Sequence, residues 1–588
     1  MADITVTVDG KRVSVPVGST VLEAAQAAGI DIPTLCHHPD QQVKAVCRIC
    51  VVEIEGIRSL AAACAFPASD GMMVRTNTPR VRTARRTILE LMLAHHPQDC
   101  LQCHRNLDCE LQDLAHRLGV REIAFPPVLR GLPSDDSNPA IVREPDKCIN
   151  CRRCVEACHE TQSVGILEAV NRGFDTYVAS AAGLPLEELS CVYCGQCVVA
   201  CPTGALHEQD DTAKVWEALA DPNLHVVVQT APAIRASLGE EFDLPVGTRV
   251  TKKVTAALRR LGFDRVFDTD FTADLTIIEE GNELLERIRN QGALPLLTSC
   301  SPGWIKFIES YYPELLAHVS TCKSPQQMFG ALAKTYYAEK SGIDPKDIFV
   351  VSIMPCTAKK FEANRPEMSA SGYPDVDVVL TTRELARMLR EAGIDLATLP
   401  DEDYDEPLGI STGAGAIFGA TGGVMEAALR TVYELVTGTE LEDLEFTAVR
   451  GLEGIKEAAV KLPVAEAAMA GENGQSTELE IKVAVAHGLA NARTLMEAIG
   501  SGKADYHFVE IMSCPGGCIG GGGQPIPSNS EIKEKRIAAI YEEDRGLPLR
   551  KSHENPAVKA LYAEFLGSPL GEKSHQLLHT HYTPRQRT

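Results

Sequence analysis

The chain of 588 residues is poor in aromatic side chains, which make up 5% of it, with two tryptophans in all. Nowhere does it carry the roughly 18 consecutive apolar residues of a membrane span. Its opening, Met1-Ala-Asp-Ile-Thr-Val, has no basic region, apolar h-region or twin arginine. These absences predict a cytoplasmic protein without a membrane partner. Basic residues are also in deficit: 57 Lys and Arg against 80 Asp and Glu give a net charge of −23, which repels phosphate backbones and argues against nucleic acid. With 44% hydrophobic and 23% charged residues, collagenous and wholly disordered classes are excluded. At roughly 150 residues per domain, the length allows about four domains.

What the chain does have is 20 cysteines, arranged in clusters. In a reducing cytoplasm such cysteines read as metal ligands before disulfides. Residues 4–8 and 13–17 alternate apolar and polar around Asp9-Gly10, a hairpin signal. Thr20 and Glu23 then form a capping box, predicting a helix from about 20 to Gly29. Thr83 to His96 reads as a second helix stopped by Pro97, and Pro126 to Pro139 as a linker or surface loop. Beyond about residue 211, strand-like runs (Val226–Val228, Val350–Ile353) alternate with helical ones (Val254–Leu261, Leu284–Ile288, Met425–Val436), which predicts an α/β domain with a parallel sheet.

Cys148-x2-Cys151-x2-Cys154-x3-Cys158 and Cys191-x2-Cys194-x2-Cys197-x3-Cys201-Pro202 are both the bacterial ferredoxin run. In that run three close thiolates wrap one cubane and the fourth cysteine reaches the other cluster. Cys148, Cys151, Cys154 and Cys201 are therefore expected to hold one [4Fe–4S] cluster, and Cys191, Cys194, Cys197 and Cys158 a second. Paired zinc sites are the competing reading, and the doubled spacing with its terminal Cys-Pro argues against them. Cys36-x10-Cys47-x2-Cys50-x13-Cys64 follows a hairpin and helix and resembles the β-grasp [2Fe–2S] ferredoxins, with spacing unlike the plant C-x4-C-x2-C pattern. His96-x3-Cys100-x2-Cys103-x5-Cys109 supplies a His/Cys3 set for a further [4Fe–4S] cluster, with His95 as the competing histidine. Replacing one thiolate by imidazole removes a negative charge and raises the potential.

The remaining cysteines lie mostly in three segments: Thr298-Ser-Cys300-Ser-Pro-Gly-Trp304, Met354-Pro-Cys356-Thr-Ala-Lys359-Lys-Phe-Glu362, and Glu510-Ile-Met512-Ser-Cys514-Pro-Gly-Gly-Cys518-Ile-Gly520. On these segments the chain resembles the [FeFe]-hydrogenases over nearly its whole length, and its front 210 residues also resemble the large iron–sulfur subunit of complex I. The resemblance implies an H-cluster, a [4Fe–4S] cubane joined through a cysteine to a two-iron unit with CO, cyanide and azadithiolate ligands. Cys356, Cys514 and Cys518 would bind the cubane, Cys518 bridging to the two-iron unit. Cys300 would be the proton donor, and Lys359 would donate to a cyanide while Lys360 beside it, or Lys359 itself, faces water. Ala231, Pro232, Pro325, Gln326, Met354, Phe418, Gly419 and Met512 match pocket positions. Protons would pass from Cys300 to Glu280, Ser320, Glu283 and the surface; read alone, Glu279 to Glu283 is an acidic helix start. The family's first motif usually has a second cysteine where this chain has Ser301. The fourth cubane ligand is thereby left open between Ser301, an inward-turned Cys300, and Cys322. Cys514 and Cys518 are expected one helical turn apart, Gly413 to Gly423 as a helix-leading loop, and His575, His579 and His581 as surface residues.

The expected fold class is α+β and α/β multidomain: a β-grasp [2Fe–2S] domain over 1–78, a His/Cys3 cluster domain over 79–125, a bacterial two-cluster ferredoxin domain over 126–210, and a large α/β H-cluster domain over 211–588 with a small-subunit-like segment from about 530. The expected activity is reversible reduction of protons to hydrogen. A hydrogen sensor or a non-catalytic iron–sulfur protein of the same fold is the alternative. Expected partners are flavin/NAD(P)-binding and small iron–sulfur subunits, or ferredoxin; no flavin or nicotinamide site is visible in the chain.

Overall fold

The computed structural model describes residues 3–463 and 478–587, and these fall into two compact units. The smaller comprises Met1–Glu160, Gly165–Leu189 and Ala200–His207; the larger comprises Thr161–Val164, Ser190–Val199 and Glu208–Thr588.

In the smaller unit, strands Asp3–Val8 and Lys11–Pro16 pair antiparallel with Val8 opposite Lys11, leaving Asp9 and Gly10 as the loop. Both have positive φ, 46° and 84°, the mirror-image turn whose twist suits a hairpin. Strand Met73–Arg75 runs parallel to the first strand and antiparallel to Val51–Ile54, which pairs with Ala61–Ala62 to complete a five-stranded sheet. Helix Val21–Ala27 opens on the expected capping box, in which the Thr20 hydroxyl accepts from the Glu23 N–H and the Glu23 carboxylate from the Thr20 N–H. It buries Val21, Leu22, Ala24 and Ala25 in a core with Val6, Val8, Val52 and Val74. Full burial of a side chain the size of Val or Leu contributes about 1.5–3 kcal/mol.

The second helix spans Pro79–Leu93, starting earlier than Thr83. Thr78 caps it and Pro79 sits in the first turn, where a missing N–H costs nothing. Residues 118–140 form no helix or strand.

The larger unit contains two sheets where one was expected. The first is wholly parallel, in the order Arg265–Asp268, His225–Thr230, Ile348–Met354, Val378–Thr381. The second runs Leu296–Leu297, Phe508–Met512, Glu478–His487, Ile455–Pro463; only its last pair is antiparallel. Val226–Val228 and Val350–Ile353 are buried on both faces, which is why they read as continuous apolar runs.

Helix Thr269–Arg289 follows strand Arg265–Asp268 directly, with Asp268 as its cap. Glu279, Glu280 and Glu283 therefore lie within a long helix and not at a helix start. Almost every residue from Thr269 to Leu285 is buried, so polar side chains face protein on all sides and the amphipathic period that would have revealed the helix is missing.

Parallel strands also explain where the sequence motifs end up. Ala231–Pro232 follows His225–Thr230, Pro355–Cys356 follows Ile348–Met354, Thr298–Ser301 follows Leu296–Leu297, and Ser513–Cys518 follows Phe508–Met512. All four leave the carboxyl ends of strands, the edge at which open α/β sheets build their sites.

Candidate functional site

These four segments wall a cavity of about 790 Å³ in the larger unit. Cys300, Ser301, Cys356, Cys514 and Cys518 line it together with Lys359, Ala231, Pro232, Pro325, Gln326, Met354, Phe418 and Met512. Gly419 stands behind the wall: a Cβ there would come within 3.2 Å of Ile540 and 3.3 Å of the Ala233 nitrogen. Thr269 and Ala273 also line the cavity, and no sequence signal marks them because they come from the buried long helix. Gly303, Ala358 and Ser513 line it too; their positions inside the three motifs could have revealed them.

None of the cysteines is bridged. Burial and the neighbouring Cys356 push the Cys518 thiol up to about 12, and the Cys514 thiol is raised by burial, Cys356 and Cys518. Three thiols crowded in an apolar pocket hold thiolates only when a cationic centre shares the space, so the donor set fits an iron–sulfur cluster.

Glycines let the backbone segments around the cavity approach one another closely. The Gly517 backbone has φ of 90°, and a Cβ there would lie 2.7 Å from the Thr421 nitrogen. A Cβ on Gly522 would lie 2.7 Å from the Gly195 Cα. Cys514 and Cys518 are not on one helical turn: Gly516 and Gly517 both take positive φ, and only Cys518–Gly520 forms a short 3-10 turn. A glycine loop brings the two thiols together.

Ser301 is the residue before helix Pro302–Tyr311, yet its side chain caps nothing. Its Oγ lies 2.8 Å from the Ser513 Oγ and accepts from the Ser513 N–H at 3.2 Å. Cys322 is fully buried, does not line the cavity, and has its Sγ 3.9 Å from Glu283 Oε2. It is thereby removed as a candidate fourth cubane ligand.

Lys359 Nζ donates to Glu362 Oε2 at 2.8 Å and to the Cys300 carbonyl at 3.1 Å. Glu362 is held in turn by Ser324 and Gln326. The expectation that Lys359 or Lys360 faces water fails. Lys360 is 3% exposed and bonds Asp211, Glu384 and the Val379 carbonyl; two carboxylates meet the cost of burying its charge. Glu510 accepts from the Gly422 and Met425 N–H groups at 2.6 and 2.7 Å, tying the third motif to the start of helix Gly423–Thr437.

A line of titratable groups leads away from Cys300. Burial, then Glu280 and Cys518, raise the Cys300 thiol. Burial and Glu283 push Glu280 up to about 8, against hydrogen bonds from Ser320 and Ser299. Ser320 Oγ donates to Glu283 Oε2 at 2.8 Å, and Arg287 meets Glu283 Oε1 at 2.7 Å. His579, expected at the surface, is buried: it bonds Thr321 at 2.8 Å and Glu279 at 3.1 Å. The C-terminal segment packs it there, which spacing among histidines does not reveal.

In the smaller unit the cysteine sets gather separately. Cys50 Sγ and Cys64 Sγ are 3.4 Å apart, and a hydrogen bond from Cys47 lowers Cys36 to about 6. Cys148, Cys151, Cys154 and Cys201 line one cavity of about 440 Å³. His96 is pushed down to about 4 by burial, and its Nδ1 is buried without a hydrogen-bond partner, as a ligand nitrogen would be. Lys147 faces both His96 and Cys103. His95 gives its Nδ1 to the Leu91 carbonyl at 2.8 Å, and its Nε2 is likewise buried without a hydrogen-bond partner, so it keeps its place as the competing histidine. Cys158 belongs to the smaller unit, and Cys191, Cys194 and Cys197 to the larger. Cys194 also lines the large cavity, its carbonyl 4.0 Å from Cys514 Sγ.

A cavity lined by unbridged cysteines, in a chain that carries further cysteine sets, defines an iron–sulfur oxidoreductase. The family described as "Iron only hydrogenase large subunit, C-terminal domain" matches residues 224–522, and "Iron hydrogenase small subunit" matches 530–585. A 2Fe–2S iron–sulfur cluster binding domain matches 1–79, an NADH-ubiquinone oxidoreductase-G iron–sulfur binding region 85–124, and a 4Fe–4S dicluster domain 147–205. The chain is 54% identical to the NADP-reducing hydrogenase subunit HndD of Solidesulfovibrio fructosivorans, with all of both chains covered. It is 41% identical to iron hydrogenase 1 of Clostridium pasteurianum over 98% of this chain and 99% of that one. Among solved structures, a variant of [FeFe]-hydrogenase HydA1 from Chlamydomonas reinhardtii matches with TM-score 0.58 and 46% identity, over 64% of this chain and 100% of the other. The chain belongs to the iron-only, or [FeFe], hydrogenases. It is a multidomain α/β oxidoreductase with 2Fe–2S, 4Fe–4S and H-cluster domains. No helix among the described residues is long and apolar enough to cross a membrane.

Proposed function

We propose that the chain catalyses 2H⁺ + 2e⁻ ⇌ H₂ in both directions in the cytoplasm. The observation that carries this reading is the double setting of Cys300, which shares an apolar cavity with Cys356, Cys514 and Cys518 and faces Glu280. When bound, the H-cluster supplies the redox centre and open iron position at which protons and hydrogen interconvert. Cys356, Cys514 and Cys518 would hold its iron through their thiolates. Ser301, which lines the same cavity, would offer an oxygen as a fourth ligand. Cys300 delivers or accepts the proton at its sulfur, and Glu280, Ser320 and Glu283 carry it onward to solvent, with Arg287 holding Glu283 in place. A carboxyl near pKa 8 exchanges protons readily at neutral pH. Lys359, fixed by Glu362 at the cavity wall, would donate hydrogen bonds to anionic cyanide ligands. The apolar wall, from Ala231 to Met512, excludes water.

Electrons reach this cavity through Cys194. The [2Fe–2S] set of Cys36, Cys47, Cys50 and Cys64 and the set of His96, Cys100, Cys103 and Cys109 form two inlets that converge on the cluster of Cys148, Cys151, Cys154 and Cys201. Arg153 faces both Cys36 and Cys151, and Cys109 Sγ lies 3.7 Å from the Pro202 carbonyl. The set of Cys191, Cys194, Cys197 and Cys158 hands electrons on. One [2Fe–2S], three accessory [4Fe–4S] clusters and the H-cluster cubane make about 18 irons per chain before the two-iron unit is added.

A relative named as a subunit of an NADP-reducing hydrogenase supports partners that bind flavin and NAD(P), or ferredoxin, docking on the module of residues 1–78. Gas release from protein matured with the two-iron unit tests the activity. Hydrogen should evolve with a small artificial donor; infrared bands of the cofactor without hydrogen would make the chain a sensor. Deleting residues 1–78 should abolish NAD(P)H-linked turnover and spare the artificial donor, and loss of neither would place the partner elsewhere.

A further inference from the structure

Helix Thr269–Arg289, the segment at Cys322 and the C-terminal segment at His579 meet in a group of donors that the proposed chemistry does not use as a set. Glu283, Cys322 and His579 bring a carboxylate oxygen, the thiol sulfur and a ring nitrogen within 4.8 Å of one another. An isolated antiparallel bridge between Cys322 and His579 fixes both backbones. Sulfur, imidazole and carboxylate are the donors that zinc and softer divalent cations select.

A second observation points the same way. His579 Nε2 lies 3.1 Å from Glu279 Oε2, and that buried carboxylate is itself held by the Tyr562 hydroxyl at 2.5 Å and the Leu570 N–H at 2.9 Å. With its proton kept on Nε2, the ring leaves Nδ1 as the donor nitrogen; the Thr321 hydroxyl meets it at 2.8 Å. A carboxylate behind the far nitrogen is how metal-binding histidines are oriented. Arg287 holds Glu283 Oε1, which leaves Oε2 on the side of Cys322, 3.9 Å from its sulfur. His575, exposed, lies 4.4 Å from His579 between ring centres and offers an approach from solvent.

We propose that Glu283, Cys322 and His579 form a site for a thiophilic divalent cation, Zn²⁺ or Cd²⁺, and that its occupation closes the proton route at Glu283. The closure rests on Glu283 being a proton carrier. On binding, a metal–sulfur bond forms and the Cys322 thiol proton leaves to water. Nδ1 exchanges the Thr321 hydroxyl for the cation, and Glu283 Oε2 exchanges the Ser320 hydroxyl for it. No electrons move. A carboxylate oxygen bound to a dication no longer takes a proton from Ser320.

The test uses the full-length, cofactor-loaded protein equilibrated with Zn²⁺ and then desalted. Metal analysis should find one Cys322-dependent zinc per chain. Absorption at the zinc edge should show one sulfur at about 2.3 Å with nitrogen and oxygen at about 2.0 Å. Hydrogen release should fall at least about tenfold and recover with a chelator. Cys322→Ala should lose that zinc and keep its hydrogen release in the presence of Zn²⁺; should His579→Ala misfold, Cys322→Ala decides alone. Zinc with no sulfur neighbour, zinc with two or more, or uptake unchanged in Cys322→Ala overturns the site. Zinc bound through one sulfur with turnover undiminished overturns the closure, and with it Glu283 as carrier.

Discussion

In the smaller unit most candidate ligands of a cluster are close neighbours in the chain, Cys201 being the distant member of its set; around the large cavity they come from segments far apart in sequence. Cys148, Cys151 and Cys154 reach one cavity because a short loop can wrap a cluster wherever it lies in a fold. Cys300, Cys356 and Cys514 reach theirs because each follows the carboxyl end of a strand, two in one sheet and one in the other, that leads into the cavity wall. The first arrangement is specified by spacing and the second by the packing of two sheets. Damage in the smaller unit should therefore remove one cluster at a time, and damage around the large cavity should remove chemistry.

The sharpest test of that contrast is Cys300→Ala. With the cavity otherwise intact, turnover should fall by orders of magnitude, about 10²–10⁴ as for loss of a positioned acid or base, while infrared bands of the assembled cofactor persist. Near-normal rates would remove Cys300 from the mechanism and leave it a wall residue.

Glu280→Gln should slow turnover less, on the order of 10²-fold, and carries a second, independent signature in stability. The Glu280 carboxyl titrates at about 8 in the folded chain, above about 4.3 for an unperturbed one. The folded state thus keeps a proton that the unfolded chain releases. That contribution to stability is complete below about pH 4.3 and is lost as pH rises through 8. The glutamine variant has no such loss, so its thermal midpoint relative to the wild type should climb between pH 5 and 8. A difference that stays flat with pH would mean that Glu280 is not held protonated.

How much of this was legible in the sequence follows the same division. Asp9-Gly10, Thr20 with Glu23, and the cysteine runs act through bonds between residues a few positions apart, and each could be read without a fold. The long helix was misplaced because burial on every side erases the period that marks a surface helix. The sequence leads one to expect that Lys359 or Lys360 faces water because the partners of Lys360, Asp211 and Glu384, are distant along the chain. His579 was read as a surface residue for the same reason, since Glu279 and Thr321 are supplied by other elements. The glycine loop between Cys514 and Cys518 was mistaken for a helical turn because spacing alone does not distinguish four residues of helix from a loop with two positive φ angles.

Within the smaller unit, His96→Cys should sharpen the local character of cluster binding. The site should keep its four irons, because a thiolate replaces an imidazole whose Nδ1 is already free of protein partners. The added negative charge should lower the cluster's reduction potential in a spectroscopic redox titration. Loss of about four irons per chain would show that the geometry admits only imidazole. An unchanged spectrum and potential would transfer the ligand role to His95.

The smallest effect belongs to a residue that binds no metal. Thr20→Ala deletes the hydroxyl that accepts from the Glu23 N–H, while the Glu23 carboxylate keeps the Thr20 N–H. Losing such a cap costs about 1 kcal/mol. That penalty falls on helix Val21–Ala27, whose buried face packs in the same core as Cys50 and Cys64. The Val21 and Leu22 N–H groups hold the Phe66 and Ala63 carbonyls beside Cys64, bonds that the substitution leaves in place, so the [2Fe–2S] absorption should survive while the unfolding midpoint of the module drops by a few degrees. If the cluster were lost along with the cap, the smaller unit would resemble the larger after all, with ligand geometry dependent on packing at a distance.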